Sequence, residues 1–158
     1  MSRKMKLSLS NINRYLFFKL PSAWLSGVRV ILIDEINCHT KVKYKWINTN
    51  PYNSMFWAVQ GMAAELTTGM LLSEKIKTAN LNISMLLISS SCKFLKKATN
   101  SITFKCSQGK EAKDIIDLTS KSENPYKIEL NSIGYDDSGD IVSEFKFIWS
   151  CKKRINGK

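Results

Sequence analysis

The stretch NPYNSMFWAVQGMAAELTTGMLL, from Asn50 to Leu72, decides the fold of this 158-residue chain. Its last nineteen residues, which begin at Ser54, predict one buried helix, because apolar side chains occupy nearly every face and only Glu65 is charged. Ser54 is the predicted N-cap, since a serine oxygen can accept a hydrogen bond from a first-turn amide. The run has roughly the length of a transmembrane helix, but the central carboxylate favours a helix buried in protein.

The face of this helix that carries Glu65 also carries small residues. In helical register, Ala58, Gly61 and Gly69 share that face. Glycine inside a helix costs about 1 kcal/mol relative to alanine, so a strand, a partner chain or a ligand is expected to approach closely there. Burial would raise the pKa of Glu65, which suits a general base or a nucleophile. A structural carboxylate, satisfied by a backbone amide or a lysine, is the equally open alternative.

Alternation of apolar and polar residues predicts about six antiparallel strands, most of them after the helix. They are residues 28–36, 41–47, 83–95, 101–106, 126–131 and 144–151, with a DDSG turn at 136–139 between the last two. In the second strand, KVKYKWI, the side chains of Val42, Tyr44 and Trp46 are expected to point inward. A helix that is apolar nearly all round must be surrounded. The predicted fold is therefore α+β, a curved antiparallel sheet wrapped around one long central helix.

The whole chain, 1–158, is predicted to be a single domain with its core at about residues 22–152, because its length is too short for two comfortable domains. An extra amphipathic helix is predicted at about 8–20, ended by Pro21, and a basic tail at 153–158. The start MSRKMK lacks the uninterrupted apolar run of a signal peptide. Four cysteines without CxxC spacing and a single histidine favour reduced thiols and no metal site, and so a cytoplasmic protein.

The balance of charge is strongly basic. The chain has 24 Lys and Arg against 13 Asp and Glu, a formal net charge of +11. Such a charge attracts polyanions, which include nucleic acid, anionic lipid head groups and phosphate-bearing small molecules. The basic residues are spread along the chain without a nucleic-acid-binding motif, so a nucleic-acid-binding module is the lowest-ranked of three functional hypotheses.

A motif around the start of the central helix resembles that of the hotdog-fold acyl-CoA thioesterases, and most of all an uncharacterised, stand-alone branch of that superfamily. It consists of Asn48-x-Asn50-x-x-x-Ser54-Met55-Phe56, then Ala58, then Ala63-Ala64-Glu65. The segments SAWLSGVRV, CKFLKKAT and DDSGDIVSEFKFIWSCK follow the same order as in those proteins, so the resemblance covers about residues 7–152. It implies the same architecture that the hydrophobic pattern predicts.

The resemblance also implies roles for individual residues. Glu65 stands where catalytic members have an Asp or Glu that acts as base or nucleophile on a thioester. Trp57 or Ala58 matches the position whose backbone amide polarises the thioester carbonyl, although the enzymes usually have one or two glycines there. Asn50 matches a polar position near the thioester, with a turn residue as the alternative. Acyl-thioester hydrolysis is the first hypothesis, and a non-catalytic acyl-CoA binder with the same tunnel is the second.

Two further expectations concern partners. Eight helical residues separate Trp57 from Glu65, about 12 Å, so one chain cannot bring both to the same carbonyl. An active enzyme must then be a homodimer, or a dimer of dimers, with antiparallel helices that approach at Gly61 and Gly69. Coenzyme A, as part of the substrate and not as a cofactor, carries about four negative charges that lysines could hold. The expected substrate-binding residues are Ser54, Met55, Gly61, Lys93, Lys96 and Lys97, with Lys152 and Arg154 behind them.

Overall fold

The computed structural model of the protein describes residues 8–154 and contains a six-stranded antiparallel sheet with the strand order β1-β2-β4-β5-β6-β3. The strands are β1 Arg29–Ile33, β2 Cys38–Val42, β3 Ile83–Phe94, β4 Ile102–Cys106, β5 Tyr126–Tyr135 and β6 Ile141–Lys153. The helices are α1 Leu9–Lys19, α2 Pro21–Leu25, α3 Trp57–Thr78 and α4 Gly109–Ser120, with a 3-10 turn at Trp46–Asn48.

The long helix α3 packs across the sheet, where it contacts β1, β2, β4, β5 and β6. Ala63, Ala64, Leu71 and Leu72 of α3 are fully buried in the core. The predicted α+β architecture, one long helix against a six-stranded antiparallel sheet with an extra N-terminal helix, is confirmed. No helix within residues 8–154 is long and apolar enough to cross a membrane.

The predicted start of α3 is wrong. The helix begins at Trp57 with Phe56 at the N-cap position, and no side chain caps it. Ser54 is not the cap because its hydroxyl lies 3.1 Å from the Asn50 Nδ2 atom, within the turn that precedes the helix. At the other end the helix continues past Leu72 to Thr78, where Lys75 and Lys77 in the last turn complement the helix dipole.

The strand predicted at 41–47 is also wrong beyond Val42, where β2 ends. The buried side chain of Asn48 folds the following segment into a turn, since its Nδ2 donates to the Lys43 carbonyl at 2.8 Å and its Oδ1 accepts the Lys45 N–H at 2.9 Å. As a result Trp46, expected to point inward, is 88% exposed. The true strand begins at Cys38.

Helix α4 was missed by the sequence analysis. Its buried side chains, Ala112, Ile116 and Thr119, recur at helical spacing, which was the available signal. The helix packs against α3, β5 and β6. At its first residue, Gly109, an added Cβ would lie 2.1 Å from the Glu35 carbonyl oxygen, so only glycine fits there.

The two edges of the sheet differ. The amphipathic helix α1 is confirmed, and it closes the β1 edge: the Asn13 side chain donates to the Val30 carbonyl at 2.9 Å and accepts the Val30 N–H at 3.0 Å. Pro21 ends α1 and starts the short helix α2. Strand β3, at the opposite edge, pairs only with β6. One edge is therefore hydrogen-bonded by a side chain, and the other presents a free row of backbone groups.

The turn predicted between the last two strands is confirmed. The Asp136 carboxylate accepts the N–H groups of Ser138 and Asp140, and Gly139 takes the left-handed backbone conformation that the turn needs, with φ 88°. Lys153, assigned to the basic tail, is the last residue of β6. Two predictions, that residues 1–7 are not a signal peptide and that residues 155–158 belong to a basic tail, concern residues outside the described range.

Candidate active site

A cavity of about 310 Å³ lies between helix α3 and the edge strand β3. The α3 side is formed by Trp57, Ala58, Gly61, Met62 and Glu65, and the sheet side by Leu87, Ser90 and Cys92 of β3 with Phe145 and Phe147 of β6. The lining is apolar apart from Glu65 and Ser90. Four of the residues that the sequence analysis assigned to the site, Trp57, Ala58, Gly61 and Glu65, thus line one cavity.

Glu65 is half-buried in this cavity. No hydrogen bond or ion pair within residues 8–154 engages its carboxylate. The alternative hypothesis, in which Glu65 is a structural residue bonded to a lysine or a backbone amide, expects such a bond. Burial raises the pKa of Glu65, because desolvation penalises the charged form. A carboxylate with raised proton affinity and no partner in the described part of the chain can accept a proton from a bound molecule.

The two helix glycines have different neighbours. At Gly69, an added Cβ would lie 3.4 Å from two atoms of the Trp149 ring and 3.5 Å from the Glu65 Oε1 atom, so the close approach there is made by a side chain of β6. At Gly61, the nearest atom to an added Cβ is Phe145 Cε1, at 3.7 Å. Gly61 therefore keeps space open in the cavity, while Gly69 accommodates Trp149.

The start of α3 presents two unused donors. The Phe56 carbonyl accepts the N–H groups of Val59 and Gln60, at 3.0 and 3.4 Å. The N–H groups of Trp57 and Ala58 have no acceptor within the part of the chain that the structure describes. Because both residues line the Glu65 cavity, the partial positive charge of an uncapped helix start is available there.

A second cavity has a volume of about 360 Å³, and Trp57 lines both cavities. It is more polar than the first. The predicted residues among its lining are Asn50, Ser54, Met55, Lys96 and Lys97, and the others include Gln60, Phe94 and Ala98. Trp57 therefore lines both an apolar cavity that contains Glu65 and a polar cavity that contains lysines.

The side chain of Asn50 organises the turn before α3. Its Oδ1 accepts the N–H groups of Tyr52 and Ser54, at 2.9 and 3.3 Å. This is the role expected of Asn50 if it is a turn residue. Met55 is buried, and its N–H donates to the Ala98 carbonyl at 2.8 Å. The Met55–Ala98 bond attaches the loop after β3 to the segment that precedes α3. Contact of Asn50, Ser54 or Met55 with a substrate stays a prediction.

The predicted lysines do not form one cluster. Lys96 Nζ lies 2.6 Å from the Asp136 carboxylate and 2.7 Å from that of Asp140, and these hydrogen bonds raise the pKa of Lys96. Among the described residues, Lys97 Nζ hydrogen-bonds only to the Tyr52 carbonyl, at 3.4 Å. A phosphate that binds Lys96 has to compete with two carboxylates. Lys97, which also lines the polar cavity, has no carboxylate partner among the described residues.

The other basic residues predicted to bind substrate line neither cavity. They are Lys93, Lys152 and Arg154. Lys93 is exposed on β3, opposite Glu144, and it lines neither cavity. Lys152 lies opposite Ser84, nine residues from Lys93 along β3, which corresponds to about 30 Å. The expectation that Lys152 and Arg154 lie behind the other lysines is therefore wrong.

Gln60, which the sequence analysis did not single out, is a buried polar group of the site. Its Oε1 accepts the Ser143 hydroxyl at 2.9 Å, and its Nε2 donates to the Met55 carbonyl at 3.4 Å. An amide in an otherwise apolar helical run was the available signal. No group of three or more His, Cys, Asp or Glu side chains within residues 8–154 is arranged to hold a metal ion.

Comparison with known proteins places this geometry in a fold family. No protein-family model and no curated protein sequence matches the chain. Among solved structures, a protein of unknown function from Chlorobaculum tepidum aligns over 94% of this chain and 98% of its own, with a TM-score of 0.79 and 14% identity. A Pseudomonas aeruginosa protein described as a probable thioesterase aligns over 92% and 96%, with a TM-score of 0.76 and 15% identity.

A thioesterase from Haemophilus influenzae aligns over 95% of this chain and 94% of its own, with a TM-score of 0.70 and 10% identity. At such identities the likeness concerns the fold alone. The chain has the hotdog fold of these thioesterase-like proteins, as the resemblance implied.

Proposed function

We propose that the protein is a thioesterase-like hotdog protein that binds an acyl thioester of the acyl-CoA type and hydrolyses it with Glu65. One observation carries the proposal: an unpaired, desolvated carboxylate shares a cavity with the two unused backbone donors of a helix start. A base and an oxyanion-binding group are the two elements that acyl transfer to water requires.

In the proposed reaction, the Glu65 carboxylate takes a proton from water as the water oxygen attacks the thioester carbonyl carbon. The carbonyl oxygen becomes an oxyanion, which the N–H groups of Trp57 and Ala58 in a second copy of the chain would stabilise together with the dipole of that copy's α3. Collapse of the tetrahedral intermediate breaks the carbon–sulfur bond, and the proton held by Glu65 passes to the leaving thiolate. The products are a carboxylic acid and a free thiol.

The site needs a second copy of the chain, because Glu65 and the donors of its own helix lie about 12 Å apart. Strand β3 is the surface that we assign to this contact. It has a free edge, it carries no charged residue from Ile83 to Cys92, and Leu86 is 68% exposed. Uncharged, apolar edge strands pair readily with another chain. The Glu65 cavity lies directly under this edge, so antiparallel pairing of two β3 strands would bring a partner helix beside it.

The polar cavity is the proposed place of the thioester's phosphate-bearing end. Lys97 has an ammonium group available there, and Asn50 and Ser54 supply hydrogen-bonding groups. The acyl chain would occupy the apolar cavity beside Leu87, Phe145 and Phe147. A reducing compartment such as the cytoplasm suits the four thiols, which are all free.

The test is release of free CoA from acetyl-, hexanoyl- and palmitoyl-CoA, followed with a thiol reagent. Glu65→Gln keeps the size of the side chain and removes the base, so kcat is expected to fall by about 10²–10⁴. Glu74→Gln is the matched control, since Glu74 is the other carboxylate of α3 and accepts a hydrogen bond from Thr78, away from the cavity. Equal turnover in the Glu65→Gln variant and the unmodified protein would refute the assignment.

A non-catalytic acyl-CoA binder is the second candidate, and the position of Trp57 favours it. Trp57 is a large residue that lines both cavities, at a position where a smaller residue would leave more room for a thioester to reach the backbone donors. An acyl-CoA that raises the melting temperature of the protein without release of CoA would select this candidate. In that case Glu65→Gln would leave the thermal shift largely unchanged.

A further inference from the structure

The outward face of helix α1 is unusually apolar for a surface helix. Ile12 and Leu16 face the core and are buried, which is the ordinary amphipathic arrangement. On the other side, however, Phe18 is 70% exposed and Tyr15 is 55% exposed. The helix therefore carries large apolar side chains on both faces, and within residues 8–154 only the face with Ile12 and Leu16 is covered.

The exposed side chains belong to a rigid surface. Asn13 bonds both backbone groups of Val30, so α1 is fixed on the sheet edge. The Phe17 ring makes edge contacts with Phe18 and with Trp24 of α2, at centroid distances of 4.9 and 4.8 Å. Leu20, which directly precedes α2, and Leu25, its last residue, are exposed as well, and we call the exposed apolar residues of the two helices the α1–α2 face.

The charge of this part of the chain is of one sign. The first 33 residues contain no Asp or Glu and carry six basic residues, Arg3, Lys4, Lys6, Arg14, Lys19 and Arg29. Arg14 and Lys19 are exposed on α1, within one turn of Phe18. The Arg29 guanidinium lies over the Trp24 ring, 4.2 Å from its centroid. The aromatic surface is thus flanked by cations, and the segment that forms it contributes no carboxylate.

We propose that the α1–α2 face docks on an anionic lipid bilayer surface. Aromatic rings prefer the boundary between head groups and acyl chains, and neighbouring Lys and Arg are attracted to acidic lipids. A second copy of the chain fits less well, because two like-charged faces would repel each other. The proposal does not depend on thioester chemistry, since none of its residues lines either cavity.

The test is co-sedimentation of the full chain with vesicles of phosphatidylcholine alone and of phosphatidylcholine with about one-third phosphatidylserine. Binding is expected to the acidic vesicles only, and to weaken by about tenfold or more as salt rises toward 0.5 M, where charges are screened over about 4–5 Å. Phe18→Ser should weaken binding at least about fivefold through the lost apolar contact. Leu118→Ser, which removes an exposed apolar side chain from a different helix, α4, is the control and should bind like the unmodified protein.

Arg14→Gln combined with Lys19→Gln provides a second variant whose substitutions are on the surface and leave the core intact. It should lower binding to acidic vesicles about tenfold while far-UV circular dichroism is unchanged. Failure to bind acidic vesicles, equal binding to both vesicle types, or full binding by both variants would each overturn the proposal. Loss of self-association in Phe18→Ser without any vesicle binding would show that the face contacts protein instead, which also overturns it.

Discussion

Replacement of Gly61 by alanine should stabilise the fold and impair the site at the same time. In the described chain, the added Cβ would meet nothing nearer than Phe145 Cε1, at 3.7 Å, which is ordinary van der Waals contact. Alanine in a helix interior is favoured over glycine by about 0.5–1 kcal/mol. For a chain of this size, about 1 kcal/mol corresponds to a rise of about 2–4 °C in the melting temperature.

The same methyl group would project into the Glu65 cavity, because Gly61 lines it. Binding of an acyl thioester is therefore expected to weaken by at least about fivefold, equivalent to about 1 kcal/mol. Stability is measured by urea unfolding and binding by the acyl-CoA thermal shift on the same preparations. A more stable protein that binds less is the signature of a helix position left empty for a ligand.

Gly134→Ala is the contrasting control, since it lies in β5 outside the cavity. Its Cβ would lie 2.6 Å from Cε1 of the buried Phe104 ring, so it should lose about 1–3 kcal/mol of stability. If Gly61→Ala loses stability in the same way at every protein concentration, the space at Gly61 is not open and the reasoning is refuted. A loss that grows with protein concentration would instead show that a partner helix occupies the space.

Three further predictions concern the same site. Burial raises the pKa of Glu65 in the folded state, so its protonated form contributes stability in acid, and that contribution is lost as the pH rises through the raised pKa. Glu65→Gln, which cannot ionise, should therefore be more stable than the unmodified protein at pH 8 and equally stable at pH 4. Urea unfolding at both pH values checks this, and a larger gain at pH 4 would contradict it. Leu86→Lys with Ile88→Lys should make the protein a monomer in sedimentation equilibrium and abolish thioester hydrolysis, and a stable active dimer would exclude the β3 edge as the interface. Trp57→Gly removes a large side chain that lines both cavities, so it should raise kcat/KM for acyl-CoA at least about fivefold in steady-state assays, whereas a fall would mean that Trp57 contacts the substrate.

The architecture was predictable because it follows from patterns within short segments. One charged residue in nineteen makes α3 a central helix, and alternation marks β3, β4, β5 and β6. The same local patterns gave a wrong prediction where contacts between residues distant in sequence determine the structure. KVKYKWI alternates perfectly, but Asn48 also donates to the Ser26 carbonyl, 22 residues away, and that network turns the chain out of the sheet.

The candidate site was predictable only in part, for the same reason. The shared helix face of Ala58, Gly61 and Glu65 follows from helical register alone, and all three line one cavity. The engagement of Lys96 by Asp136 and Asp140 could not be foreseen, because those partners lie 40 and 44 residues away. The empty N-cap of α3 was missed because Ser54, a good cap by residue type, is held in a turn by Asn50.

The two sheet edges connect the separate proposals. Asn13 occupies both backbone groups of Val30 on the β1 edge, so that edge cannot readily accept another strand and instead carries the α1–α2 face. Strand β3, five strands away across the sheet, is bare, uncharged over Ile83–Cys92 and directly above the Glu65 cavity. Pairing of chains and contact with a lipid surface would therefore use opposite edges and need not compete. A protein that binds vesicles as a dimer, and whose β3 variants still bind them as monomers, would show that the two surfaces act independently.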